Sequence, residues 1–144
     1  MDIEEKIETL YSRDNKKAYE VLLELEAETA ESNDLYSYFD SFIEMLNSEK
    51  SFTRIRGFRL ICGLAKWDDR NKINANIHII LGALDNNNAI SARKCLEAIN
   101  LMLIYKPELS EVIERKLKCL DLSVYKESMQ PLIQKDIGHI LEQL

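Results

Sequence analysis

The residues that make sharp turns are scarce here: four glycines and two prolines in 144 positions. A β-sandwich or barrel needs a turn every few residues, so those architectures are excluded. Long hydrophobic runs are also missing. The longest, Leu101-Met102-Leu103-Ile104-Tyr105, is far short of the roughly 20 residues that span a bilayer. Met1-Asp2-Ile3-Glu4-Glu5 lacks the positive flank and apolar stretch of a secretion signal. The two histidines, His78 and His139, have no Cys, His, Asp or Glu four residues away, and no CxxC occurs. A helical metal-ligand pair is therefore not encoded, and none is expected. Neither GxGxxG nor GxxxxGK[ST] is present, so no phosphate-cradling loop and no cofactor are expected.

Cysteine is rare and odd in number. Cys62, Cys95 and Cys119 each lie within an apolar helical pattern. They read as buried free thiols in a reducing compartment, which makes a cytoplasmic location the expectation. As a nucleophile, any of them would need a base brought from a distant part of the chain.

What is abundant is Leu, Ile, Glu, Lys and Ala, all helix formers. Hydrophobic residues at 46% and charged residues at 31% suit one folded domain. The net charge of −6 is uneven. Residues 1–50 carry 5 Lys/Arg against 14 Asp/Glu, residues 51–106 carry 9 against 4, and residues 107–144 carry 5 against 7. A basic middle between acidic ends biases the choice of partner.

The chain also repeats. At an offset of 38, Leu35, Phe39, Phe42, Ile43 and Leu46 fall on Ile73, Ile77, Ile80, Leu81 and Leu84. The match continues with Phe52 on Ile90, Phe58 on Leu96, Ile61 on Ile99 and Leu64 on Met102. Spacing of i, i+3, i+4 and i+7 places each set on one helix face. At an offset of 36, Ile3, Ile7 and Leu10 meet Phe39, Ile43 and Leu46, while Leu22 and Leu25 meet Phe58 and Ile61. Ile73, Ile77, Leu81 and Leu84 likewise meet Leu109, Ile113, Leu117 and Leu120.

The pattern predicts eight helices in four antiparallel pairs: 2–11 with 15–31, 34–46 with 51–67, 70–84 with 88–105, and 107–120 with 123–143. Asn33, Asp34, Ser51, Asp69 and Ser123 are residue types suited to N-caps. Pro107 suits a first helical turn, whereas Pro131 is expected to kink the last helix.

Two segments carry a family resemblance: Thr53-Arg54-Ile55-Arg56-Gly57-Phe58-Arg59-Leu60-Ile61 and Ala92-Arg93-Lys94-Cys95-Leu96. Both resemble the second helix of a HEAT unit, in which an arginine is followed by small and apolar residues at helical spacing. Over nearly its full length the chain is similar to HEAT and armadillo-like repeat proteins. The resemblance implies an all-α fold, a right-handed α-α superhelix or HEAT-like solenoid. Its repeats would span approximately 1–31, 33–67, 69–105 and 107–144.

In such folds the second helices line a concave surface used for binding. At about 100° per residue, Arg56, Arg59, Gly63 and Lys66 share one strip of the helix 51–67. The matching strip of 88–105 holds Lys94, Glu97, Leu101 and Ile104, edged by Arg93 and Asn100, and that of 15–31 holds Glu20, Leu23 and Ala27. Arg54 points to the apolar side, in a structural role. The candidate partner-binding residues are therefore Arg56, Arg59, Lys66, Arg93, Lys94, Glu97 and Leu101. Either these cations form a binding surface or they solvate a helix face.

The functional expectation is a non-enzymatic scaffold for a protein or peptide, with no catalytic residue assigned. The alternative is a nucleic-acid binder similar to HEAT-like alkylpurine DNA glycosylases, which use Asp, Trp and basic residues on a concave surface. Trp67-Asp68-Asp69-Arg70 carries that thought. Those enzymes are longer, and this chain is acidic, so nucleic acid is the weaker partner. The plainer reading has Trp67 closing one helix and Asp68 or Asp69 starting the next. Ile133, Ile137, Ile140, Leu141 and Leu144 form a stripe expected mostly to pack on the preceding helix pair; any part left exposed would allow end-to-end homodimerisation. No membrane partner is expected.

Overall fold

The computed structural model describes residues 1–144, in which nine α-helices and no strands occur. In chain order they are α1 (Ile3–Thr9), α2 (Asn15–Glu31), α3 (Phe39–Met45), α4 (Ser51–Gly63), α5 (Lys72–Ala75), α6 (Ile77–Leu81), α7 (Ala89–Tyr105), α8 (Ser110–Lys118) and α9 (Gln130–Leu141). Turns of 3-10 helix lead into α3 and α8 and extend α4 and α6. No helix is long and apolar enough to cross a membrane.

Short side chains bearing an oxygen start the helices, as helix ends with orphan N–H groups require. Asp2 accepts from the Glu5 N–H at 2.8 Å, Asp14 from Lys17 at 3.2 Å and Asn88 from Ser91 at 2.9 Å. These differ from the capping residues predicted. Asp68 rather than Asp69 serves the start of α5, accepting from the Lys72 and Ile73 N–H groups at 2.9 Å each. The helix predicted over 70–84 is broken at Asn76. That residue's side-chain amide donates to the Lys72 carbonyl at 2.8 Å, competing for a group the helix would otherwise use.

The C-terminal end departs further from expectation. In place of a helix over 123–143, a 3-10 turn at Leu122–Val124 is followed by an irregular stretch and then α9. Pro131 occupies the first turn of α9, where its missing N–H is harmless, so it kinks nothing. Tyr125 anchors the irregular stretch by donating to the Asn86 carbonyl at 2.7 Å.

The longer helices form a layer in sequence order: α2 packs on α4, α4 on α7, and α7 on α9. On the other side α1 packs on α2 and α3 on α4. The repeat-matched pairs Leu35/Ile73, Phe39/Ile77, Phe42/Ile80, Phe58/Leu96, Ile61/Ile99 and Leu64/Met102 are buried at both members. They belong to one core of 35 buried apolar residues running from Ile7 to Ile140, so the helix pairs share a single interior. Ile43, opposite the buried Leu81, is only partly covered, and one matched pair is left open altogether. Phe52 and Ile90 are both exposed.

Helix α4 is enclosed by α2, α3 and α7, and two glycines permit it. A Cβ at Gly57 would sit 2.8 Å from the Phe42 carbonyl oxygen and 2.9 Å from Met45 Cβ. At Gly63 a Cβ would meet Thr29 Oγ1 at 2.5 Å. Only the hydrogen side chain allows helix axes to approach this closely. Of the thiols, Cys62 and Cys95 are buried, whereas Cys119 is exposed, contrary to expectation. It lies just past the last turn of α8, outside the apolar stripe of Ile113 and Leu117.

Candidate functional site

The predicted strip is drawn together only in part. Arg56 does not reach the open surface: it is 6% exposed. Its Nη1 donates to the Leu10 carbonyl at 2.8 Å and its Nη2 to Asn15 Oδ1 at 3.1 Å. The cation thus sits at the C-terminal end of α1, where carbonyls lack helical partners and the helix dipole favours positive charge. Burial lowers the guanidinium below its ordinary pKa. Arg54 is structural as well, donating to the Ser48 carbonyl at 2.8 Å.

Arg59 grips Glu26 of α2 with two hydrogen bonds, 3.1 and 2.7 Å. Lys66 donates to the Ala30 carbonyl at 2.6 Å and lies over the Trp67 ring at 4.9 Å. Arg93 is turned aside, binding Asp136 at 2.7 and 3.3 Å and so tying α7 to α9. That hydrogen bond raises its already high pKa. Lys94 and Glu97 form an exposed pair at 3.6 Å, a geometry that contributes little in water.

What remains is a groove of about 530 Å³ across α2, α4 and α7. Arg59, Lys66, Lys94, Glu97 and Leu101 line it, joined by Tyr19, Leu23, Glu26 and Tyr105. A second cavity of about 490 Å³ shares Tyr19, Arg59 and Lys94 with the first and extends it toward Lys16, Phe52 and Ile90, with Arg56 in its wall. Arg93 belongs to a separate cleft of about 460 Å³ between α7 and α9, with Asn100, Asp136 and His139. Tyr19, Glu26 and Tyr105 were not among the predicted residues. Tyr19 and Glu26 lie four before and three after Leu23, a spacing that shares a helix face and could have revealed them.

The Trp67-Asp68 run is occupied by structural bonds. Trp67 Nε1 donates to the Thr29 carbonyl at 2.6 Å. The Asp68 carboxylate, with no exposed side-chain surface, accepts from Tyr36 Oη at 2.6 Å, from the two α5 N–H groups, and from Lys106 Nζ at 3.2 Å. Lys106 is equally enclosed and also donates to the Asp68 carbonyl at 3.0 Å and Asn71 Oδ1 at 2.7 Å. Burial pushes the Asp68 carboxyl up, but hydrogen bonds from Tyr36, Ile73, Lys72 and Lys106 together hold it below the usual carboxylate range. Burial, with the bond to Asp68, pushes the Tyr36 phenol up to about 12. Every oxygen lone pair of use to a substrate is already committed.

The histidines stand apart, both exposed, His78 on α6 and His139 on α9. No group of three or more His, Cys, Asp or Glu side chains converges. No protein-family model matches the chain, and searches of curated proteins and of solved structures yield no significant match.

Proposed function

We propose that the chain is a short HEAT-like α-solenoid and that it serves as a non-enzymatic scaffold, holding a protein or peptide segment in the groove across α2, α4 and α7. The solenoid reading is supported by the reach of the side-chain hydrogen bonds. Those that join distant parts of the chain all span 31 to 46 residues. Each helix pair is thereby bonded to the next and to nothing farther, as stacked repeats require.

One observation carries the binding reading: Tyr19, Leu23, Leu101 and Tyr105 are exposed together in one groove. Scattered exposed apolar residues are ordinary, but a cluster in a concavity with polar edges marks a surface that excludes water when occupied. Two carboxylates, Glu26 and Glu97, stand among the cations that line the groove, and Arg59 is matched by Glu26. Phosphate backbones need unmatched cations, so the groove favours a polypeptide over nucleic acid.

The test is affinity capture from native lysate with Leu23→Glu/Leu101→Glu, which alters exposed positions only. Ile79→Glu, at an exposed position on α6, is the control. A partner lost by the first variant and kept by the second is the expected result; a partner kept by both removes the groove from the hypothesis. Arg56 is unsuitable for such a test, because it is buried and bonded to the Leu10 carbonyl at the end of α1.

A further inference from the structure

The end of the groove beside the first turns of α4 and α7 differs in charge from the remainder. Lys16, Arg56, Arg59 and Lys94 line this cavity of about 490 Å³, and no carboxylate does. Arg59 is neutralised by Glu26. Lys94 shares Glu97 only loosely, Lys16 has no ion pair, and Arg56 bonds two carbonyls and an amide oxygen but no acid. The result is a local excess of positive charge on a chain whose net charge is −6. Buried charges are normally paired, because an unmatched one forfeits hydration without a counter-ion. The α1 carbonyls offset part of that cost for Arg56, and none of its bonds uses Nε.

Apolar surface lies directly beside these cations. Phe52 is 41% exposed and Ile90 71% exposed, and both line the same cavity. They are the matched pair that the core does not bury, 38 residues apart, with Lys16 in the corresponding register 36 residues before Phe52. Three successive repeats thus present their equivalent position to one cavity, two as apolar side chains and one as a cation. A phosphate or a simple dicarboxylate would use the charges and leave Phe52 and Ile90 wet. A purely apolar segment would bury Lys16 and Lys94 unmatched.

We infer that this end of the groove takes an acidic–apolar peptide segment, its carboxylates facing the exposed Lys16 and Lys94 and its apolar side chains covering Phe52 and Ile90. The inference rests on the groove reading above and adds the chemistry of the partner. Electrostatic complementarity of this kind sets which partner is chosen more than how tightly it binds.

A phage-displayed library of random 12-residue peptides, selected on the intact chain and sequenced, tests it. Enriched peptides should combine Asp or Glu with Leu, Ile, Phe or Trp. Synthesised and measured by fluorescence anisotropy, they should lose at least tenfold in affinity on Lys16→Glu/Lys94→Glu, and more at low salt than at high. Both lysines are exposed, and circular dichroism should show the variant folded. Enriched peptides without acidic bias, indifferent to that variant but lost on Leu23→Glu/Leu101→Glu, would overturn this inference and leave the groove standing. Peptides indifferent to both variants, or no enrichment at all, would overturn both.

Discussion

Replacing Asp68 by alanine should be among the most damaging single changes to this fold, and the geometry says why. The substitution strips Lys106 of its only carboxylate in a place where the ammonium is 6% exposed. What is left to Lys106 is one carbonyl and one amide oxygen. Breaking a buried pair in this way costs about 3–5 kcal/mol. Two N–H groups of α5 lose their acceptor at the same time. A chain of this size has a total stability of about 7–20 kcal/mol, so a sizeable share is removed. In urea, followed by helical circular dichroism, the midpoint should fall by about 2 M at a slope of ~2 kcal/mol per M. Lys106→Met should cost less, about 1–2 kcal/mol, because the carboxylate keeps Tyr36 and two backbone donors. Asp68→Asn should hurt less in the Lys106→Met background than in the native chain, and the difference measures the coupling of the pair. Equal costs for Asp68→Ala and Lys106→Met, or both below about 0.5 kcal/mol, would refute this reasoning.

The remaining expectations concern the same structure under other perturbations. Because the folded pKa of Asp68 is depressed, its stabilisation is full above the unfolded carboxylate value and is lost as pH falls through the folded one. Stability should therefore decline below about pH 4, and less steeply in Asp68→Asn, as acid titration of the urea midpoint would show. Gly57→Ala should destabilise by about 1–3 kcal/mol through its backbone clash, whereas Gly138→Ala, with nothing within 4 Å, should stabilise α9 by about 0.5–1 kcal/mol. Thermal melts of the two variants should move in opposite directions. An aromatic disulfide reagent should titrate one thiol, Cys119, in the native chain and all three in denaturant. Burial holds Cys95 at about 12, so raising the pH to 9 should not expose a second. Arg56→Ala should speed amide exchange in α1 selectively, since its bond to the Leu10 carbonyl helps hold the end of that helix; unchanged exchange there would contradict that role.

Much of the fold was legible in the residues. The 38-residue lattice picks out Leu35 with Ile73 and Phe58 with Leu96, and both pairs are buried together. Helical periodicity records which face must leave water, and that demand is written locally. Charge was harder to read. Arg56 and Arg59 share a strip three residues apart, yet one is buried under α1 and the other pairs with Glu26. A helical wheel cannot say which carbonyl end or carboxylate a neighbouring helix will bring. Phe52 and Ile90 show the converse, since periodicity assigns them to the core and the structure leaves them open.

By itself, then, the order of amino acids determined that the chain is helical, where most helices begin and end, and which side chains form the interior. Those properties follow from propensity and apolar spacing, which act over one or two turns. Only the tertiary arrangement decided the pairing of Asp68 with Lys106, the burial of Arg56, the place of Pro131 at a helix start and the unmatched cations beside Phe52 and Ile90. Each of these depends on groups more than thirty residues away or on how a helix end is seated, and the energy of a charge is set by the surroundings it finally meets.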